Sequence, residues 1–393
     1  MKKVFLFSLF LVLGLVLSQC LPVWLGEAFL TAEKVAKTLM FVCLAFIMIN
    51  VGREFELDKT KWRSYAADYF IAMATAAVPW IMVAFYYMFL LPADLFGNWD
   101  AWKENLLLSR FAAPTSAGIL FTMLAAAGLR REWIYKKTQV LAIFDDLDTI
   151  LLMNPLQIFM IGFKWQLFAV VIVITFLLVI GWKKLGTIRL SQTWKSILFY
   201  AVCIVAVTES IYLLTKWMMG ADGAIHIEVL LPAFVLGMVM KTVHQHGNRD
   251  EKITGMISYL FMFLVGLSTP QFIGIDHGHR ITEAVGIIAA QPMPSWEVLV
   301  VHVIVVTLLS NLGKMFPLFF YRDRQLEERL ALSVGMFTRG EVGAGIIVIA
   351  MGYNLGGPAL IISVLSLVLN LLLTGGFVDI VKRLAQQAYG LKE

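Results

Sequence analysis

The sequence predicts an all-α polytopic membrane protein of about 12 transmembrane helices, arranged as inverted repeats with two broken helices. Three observations carry that reading. Of 393 residues, 60% are hydrophobic and 15% charged, whereas a soluble domain is about half apolar and about a quarter charged. Apolar runs close to the roughly 20 residues that cross a bilayer recur along the whole chain. Basic residues collect in alternate connecting segments, the pattern that orients a multi-span protein. The net charge of +5 therefore reports topology and is no nucleic-acid footprint. Cys20, Cys43 and Cys203 are too few and too apolar in setting for a disulfide framework or a metal site, and read as small buried hydrophobes.

Candidate spans lie near 4–21, 37–51, 66–91, 105–129, 138–162 and 167–182 in the first half. The second half gives 195–215, 226–242, 253–269, 297–321, 331–352 and 358–378. Met1-Lys2-Lys3 and the apolar run behind it have the shape of a signal peptide. With so many spans following, the run reads as an uncleaved first transmembrane helix. Five alternate loops hold 18 Lys and Arg, and the termini add five more; the loops of the other side hold six. That asymmetry puts both termini on the cytoplasmic side and requires an even number of spans; the membrane expected is the cell's plasma (inner) membrane. The stretch 270–296 reads as a loop whose apolar part, Val285 to Ala290, can dip into the membrane.

Three basic residues fall outside this pattern: Arg110, Lys314 and Arg339. At such depth each costs at least a few kcal/mol to insert, needs a partner, and marks a functional site by default. The fifth span, near 138–162, carries the matching acids. In Phe144-Asp145-Asp146-Leu-Asp148-Thr149, helical geometry puts Asp145, Asp148 and Thr149 on one face and turns Asp146 about 100° away. Lys314, in the span near 297–321, lies about as deep as the two adjacent aspartates and can pair with one of them. Asn154-Pro155 frees a backbone carbonyl just beyond the acids and predicts a kink.

Two spans look broken. One carries Ala113-Pro114-Thr115-Ser116-Ala117-Gly118, the other Gly335-Met-Phe-Thr338-Arg339-Gly340-Glu341-Val342-Gly343. Such segments survive at membrane depth only where protein or water satisfies the backbone. They occupy corresponding places in the two halves, as expected where discontinuous helices meet at an ion site. Arg339 and Glu341 are read as neutralising each other and the exposed helix ends. Glu209, in Thr208-Glu209-Ser210, is an accessory acid without an obvious basic neighbour. His244 with His246, and His277 with His279, are read as solvated loop histidines.

These residues resemble the paired-aspartate branch of the cation:proton antiporter superfamily. Four motifs carry the resemblance: Gly52-Arg-Glu54-Phe-Glu56-Leu-Asp58, Pro114-Thr-Ser-Ala-Gly-Ile-Leu, Phe144-Asp-Asp, and Gly335-Met-Phe-Thr-Arg-Gly-Glu-Val-Gly. Lys314 sits where that branch has its membrane lysine. The resemblance implies a sodium/proton antiporter-like fold and exchange of a monovalent cation, most simply Na⁺, for protons by alternating access, with a part in pH homeostasis; if Na⁺ also breaks an Asp145–Lys314 pair, loss of the lysine proton would make that exchange electrogenic. It implies Asp146 as the cation and proton carrier and Asp145 as the partner of Lys314. It also implies one transporter domain over 1–393, with core bundle halves at 66–165 and 297–380. Scaffold and dimerisation helices then fall at 1–65 and 195–269, with a linker helix at 166–194, in a homodimer without a cofactor. Asp148 departs from the family pattern and, with Asn154, is a further accessory candidate.

The chemistry has a physical basis of its own. A carboxylate in a partly dry cavity favours its neutral form and a neighbouring ammonium favours its charged form, so a balanced site holds a proton or a cation but not both. Na⁺ would take oxygen ligands: Asp146, Asp145, the Thr115 or Ser116 hydroxyls, carbonyls and water. K⁺/H⁺ exchange and sodium-coupled solute symport are the alternatives. An intramembrane enzyme is disfavoured, because a diphosphate site wants a second acidic cluster on another helix and an aspartyl protease wants its acids on different spans.

Overall fold

A computed structural model of the chain describes residues 2–26, 28–54, 62–161, 166–184, 186–219, 229–240, 248–268, 286–288, 290–352 and 355–390. Among these, every regular element is a helix, and an isolated bridge between Ile188 and Met240 is the sole β contact. The helices are α1 Lys2–Leu25, α2 Ala28–Glu54, α3 Trp62–Phe89, α4 Trp99–Ser109, α5 Ala117–Ala126, α6 Trp133–Ile161 and α7 Gln166–Lys183. They continue as α8 Trp194–Met219, α9 Leu230–Val239, α10 Asn248–Leu267, α11 Trp296–Gly313, α12 Leu326–Gly335, α13 Glu341–Gly352 and α14 Gly357–Tyr389. Among the described residues, the apolar segments read from the sequence overlap helices or interrupted helices.

Among the described residues, six stretches are long and apolar enough to cross a membrane by themselves: Lys34–Arg53, Arg63–Phe89, Trp99–Ala126, Trp194–Met218, Trp296–Phe319 and Gly357–Tyr389. Helix α6 has the length, at 29 residues, but three aspartates in its middle set it apart. The chain forms two compact units, one of Met1–Gly26, Lys61–Met160 and Val265–Glu393, the other of Glu27–Thr60 and Ile161–Leu264.

In the second unit, α2 and α9 approach so closely that side chains have no room between them. A Cβ on Gly52 would strike the carbonyl of Phe234, and one on Gly237 would strike that of Ile49. Glycine at both contacts lets two backbones touch, which is how membrane helices gain van der Waals packing without a hydrophobic drive between them. Arg53, at the end of α2, donates to Asn50 Oδ1 at 3.0 Å and to Gln192 Oε1 at 2.9 Å.

The first unit holds α1, α3 to α6 and α11 to α14, and its polar core is ordered by small side chains. Helix α14 buries Ser363, Ser366, Asn370 and Thr374. Tyr87 of α3 bonds Ser363 at 2.7 Å, and Thr307 of α11 bonds Ser366 at 2.8 Å. Gly313, the last residue of α11, seats against Pro79 of α3, whose ring leaves 2.5 Å to a Cβ there. The sequence reading ran this span to 321, but the α-helix stops at Gly313 and a tight turn, Phe316–Phe319, follows with Pro317 in it. Proline lacks the N–H that would continue the ladder, which explains the early end. Of the stretch 270–296, the turn at Gly286–Ile288 gives its Ile287 and Ile288 N–H groups to buried Glu104 of α4, at 3.1 and 2.9 Å; residues 269–285 lie outside the described set.

Replacing Gly237 by Leu forces α2 and α9 apart and costs on the order of 1–3 kcal/mol or more. The melting temperature in detergent is expected to fall for Gly237→Leu and to hold for Gly255→Ala, since the space around Gly255 is open. Equal melting of both variants would contradict the packing described.

Candidate ion-binding site

Both interrupted spans break where their sequences change from apolar to small and polar. Helix α4 runs through a 3-10 turn, Arg110–Ala112, and stops; α5 restarts at Ala117 with Ser116 as its N-cap, the hydroxyl accepting from Ile119 N–H at 3.4 Å. Helix α12 stops at Gly335 and α13 restarts at Glu341. The two gaps lie against each other. Ser116 N–H donates to Thr338 C=O at 3.0 Å, and the Thr115 hydroxyl donates to Met336 C=O at 3.1 Å. A Cβ on Gly340 would come within 2.7 Å of Ser116 Oγ, so only glycine permits the approach. Each gap thereby satisfies part of the backbone that the other leaves open.

Asp145 of α6 enters this crossing. Lys314 Nζ lies 2.9 Å from both of its oxygens, and Thr115 N–H donates to Oδ2 at 2.7 Å. Both partners of the ion pair are 0% exposed. Lys314 is the C-cap residue that ends α11, and the carboxylate, through Thr115 N–H, faces the start of α5, the helix end whose dipole favours negative charge. Asp146 is buried as well, at 3% exposed, and in electrostatic range of Lys314. Thr149 donates to the Asp145 carbonyl one turn back, at 2.9 Å.

Arg339 is spent on helix ends. Its guanidinium donates to Met336 and Phe337 C=O at 3.0 and 3.4 Å, just past α12, and to Ser310 C=O of α11 at 3.3 Å. The side chain of Glu341 lies outside the described set, as does that of Asn154, although Pro155 sits inside α6, which continues to Ile161. Asp148 is 2% exposed and accepts from the Tyr69 hydroxyl at 2.7 Å. Glu209 sits half-buried on α8 of the second unit. Both histidine pairs, His244 with His246 and His277 with His279, fall outside the described residues. So do the side chains of Glu54, Glu56 and Asp58.

Several buried polar partners of the first unit carry no sequence signal of their own. Tyr69 and Trp80 look like ordinary aromatics of an apolar helix. Lys137 counts as a loop charge in the sequence, yet pairs with buried Asp68 of α3 at 2.8 Å, and Tyr321 donates to the same carboxylate at 2.7 Å. Burial, with the Asp68 carboxylate beside it, pushes the Tyr321 phenol well above its ordinary range, so it remains the donor. These partners are 69 and 253 residues from Asp68, too far for any local pattern to connect them.

A family model described as "Sodium/hydrogen exchanger, transmembrane" matches residues 2–383. The chain belongs to the sodium/hydrogen exchanger family. The architecture agrees with that of a solved structure, the sodium proton antiporter MjNhaP1 from Methanocaldococcus jannaschii, at a TM-score of 0.55 over 94% of this chain and 92% of that one. Identity between the two is 13%, so the likeness is one of fold. No curated protein sequence matches the chain significantly. As a sodium/hydrogen exchanger family member, the protein is a multi-pass membrane transporter of the cation/proton exchange class. It is not an enzyme, and its cation and protons are substrates, with no cofactor required.

Removing one partner of the buried pair strands the other charge, at roughly 3–5 kcal/mol. Lys314→Met is therefore expected to lower the melting temperature in detergent markedly. Asp145→Asn with Lys314→Met should recover most of the loss. A double variant as unstable as the single one would show that the lysine holds the bundle by packing alone.

Proposed function

We propose that this family member exchanges Na⁺ for protons, with Asp146 carrying either ion and the Asp145–Lys314 pair coupled to it. The observation that supports this most is the fully buried Lys314–Asp145 pair, next to Asp146, at the crossing of two interrupted helices. A carboxylate that holds one ion at a time, exposed alternately to the two sides, converts a proton gradient into cation movement. Oxygens of Asp146, Asp145, Thr115 and Ser116, with carbonyls freed at the gaps, form a donor set suited to a hard monovalent cation. Selectivity for Na⁺ over K⁺ or Li⁺ would follow from how tightly those oxygens close.

Entry of Na⁺ beside Asp145 weakens its hold on Lys314. A lysine released in a dry site then gives up its proton, so more protons than Na⁺ move in each cycle and exchange is electrogenic. The moving part would comprise 66–165 and 297–380, working against 1–65 and 195–269 with 166–194 as linker, in a plasma-membrane homodimer with both termini cytoplasmic.

Everted vesicles with a pre-formed ΔpH provide the test. Na⁺ should dissipate the gradient with the natural protein, and Asp146→Asn should respond no more than vesicles lacking it. A full response from Asp146→Asn would overturn the site assignment. In proteoliposomes net exchange should reverse at a membrane voltage set by the two ion gradients; strict one-for-one exchange would remove the electrogenic scheme.

A further inference from the structure

The third aspartate of α6 sits beside a buried cation of its own. Arg110, in the turn that ends α4, is 0% exposed. Its Nη2 donates to the backbone carbonyl of Asp148 at 3.0 Å, and its guanidinium lies 4.4 Å above the Trp80 ring. The Trp80 indole N–H in turn donates to Leu106 C=O at 2.7 Å, in the last turn of α4, so the platform beneath the guanidinium is fixed. A cation at a helix C-terminus also meets the dipole end that favours it. Arg110 is in electrostatic range of both Asp145 and Asp148.

The charges can then be assigned in turn. Among the described side chains, Asp145, Asp146 and Asp148 face Lys314, Arg339 and Arg110. Lys314 is bound to Asp145, and Arg339 holds carbonyls. Asp148 uses Oδ1 for Tyr69, while its Oδ2 makes no hydrogen bond among the described residues, nor do Arg110 Nε and Nη1. Two side chains of opposite charge, already joined through the Asp148 carbonyl, thus keep donors and an acceptor in reserve. A bare third carboxylate would otherwise attract a second cation or proton next to Asp146.

We infer that Arg110 is a built-in counter-cation for Asp148, so that the pair sets the field felt by the transported cation without carrying an ion itself. This rests on the reading of Asp146 as carrier. Arg110 is a positioning residue here, acting on the cation through charge at a distance. Its removal is expected to change the apparent affinity for Na⁺ before it changes turnover, whereas a purely structural role would lower turnover and stability together.

Na⁺-dependent exchange in proteoliposomes, with KM and kcat measured separately, tests this. Asp148→Asn leaves Arg110 unopposed and should raise the KM for Na⁺ roughly tenfold with kcat largely kept. Arg110→Gln should shift KM the opposite way, Arg110→Lys should stay near the natural value, and Asp148→Asn with Arg110→Gln should return KM toward it. An unchanged KM in Asp148→Asn overturns the inference without needing any Arg110 variant to fold. So do additive effects in the double variant, or an Arg110→Lys that behaves as Arg110→Gln. Asp146→Asn runs alongside: if it exchanges normally, the carrier assignment has failed, and if it is inactive, any failure above belongs to the Arg110–Asp148 pairing alone.

Discussion

The Lys314–Asp145 pair is the interaction on which the first unit turns. Two full charges with no solvent contact are expensive to bury, and attraction between them repays that only when the remaining donors and acceptors are also met. The fold meets them with helix ends. Lys314 ends α11 and gives its ammonium to Asp145, the start of α5 offers Thr115 N–H to the carboxylate, and the gap after α12 receives Thr115 and Arg339 on its open carbonyls. Interrupted helices and buried charges are therefore one feature: each supplies what the other leaves unsatisfied.

The same economy explains the distribution of small residues. Gly313 lets α11 reach Pro79, Gly340 lets the two gaps cross, and Gly52 with Gly237 joins α2 to α9. Between α14 and its neighbours α3 and α11, hydroxyls bridge the helices instead, Tyr87 to Ser363 and Thr307 to Ser366. Polar contacts of this kind replace the hydrophobic contrast that lipid cannot supply.

Much of this was legible in the chain. The helices follow from apolar runs, and both gaps follow from clusters of proline, glycine and hydroxyl residues in otherwise apolar surroundings. The aspartates and the three basic residues stand out because charge is rare at that depth. What the sequence could not convey is which distant group meets which. The Asp68–Lys137–Tyr321 cluster joins three elements whose members look respectively like a helix-end acid, a loop lysine and an interfacial tyrosine. Lys314 looks mid-helical until the Pro317 turn is seen to end α11 first. The buried hydroxyls of α14 carry no signature beyond their spacing. Local pattern reads elements; pairings across tens to hundreds of residues are set by packing.

The crossing of the two gaps has a consequence for how the chain is made. Thr115 precedes its acceptor Met336 by 221 residues. At roughly 5–20 residues per second, about 10–45 seconds of synthesis separate them. For most of that interval the first gap lacks the acceptors of the second, and the Asp145 carboxylate waits 169 residues for its lysine. Water or the insertion machinery must hold these groups until the second half arrives. The site is completed last, and a chain truncated before α12 would retain its apolar helices but have no finished crossing to protect them from degradation.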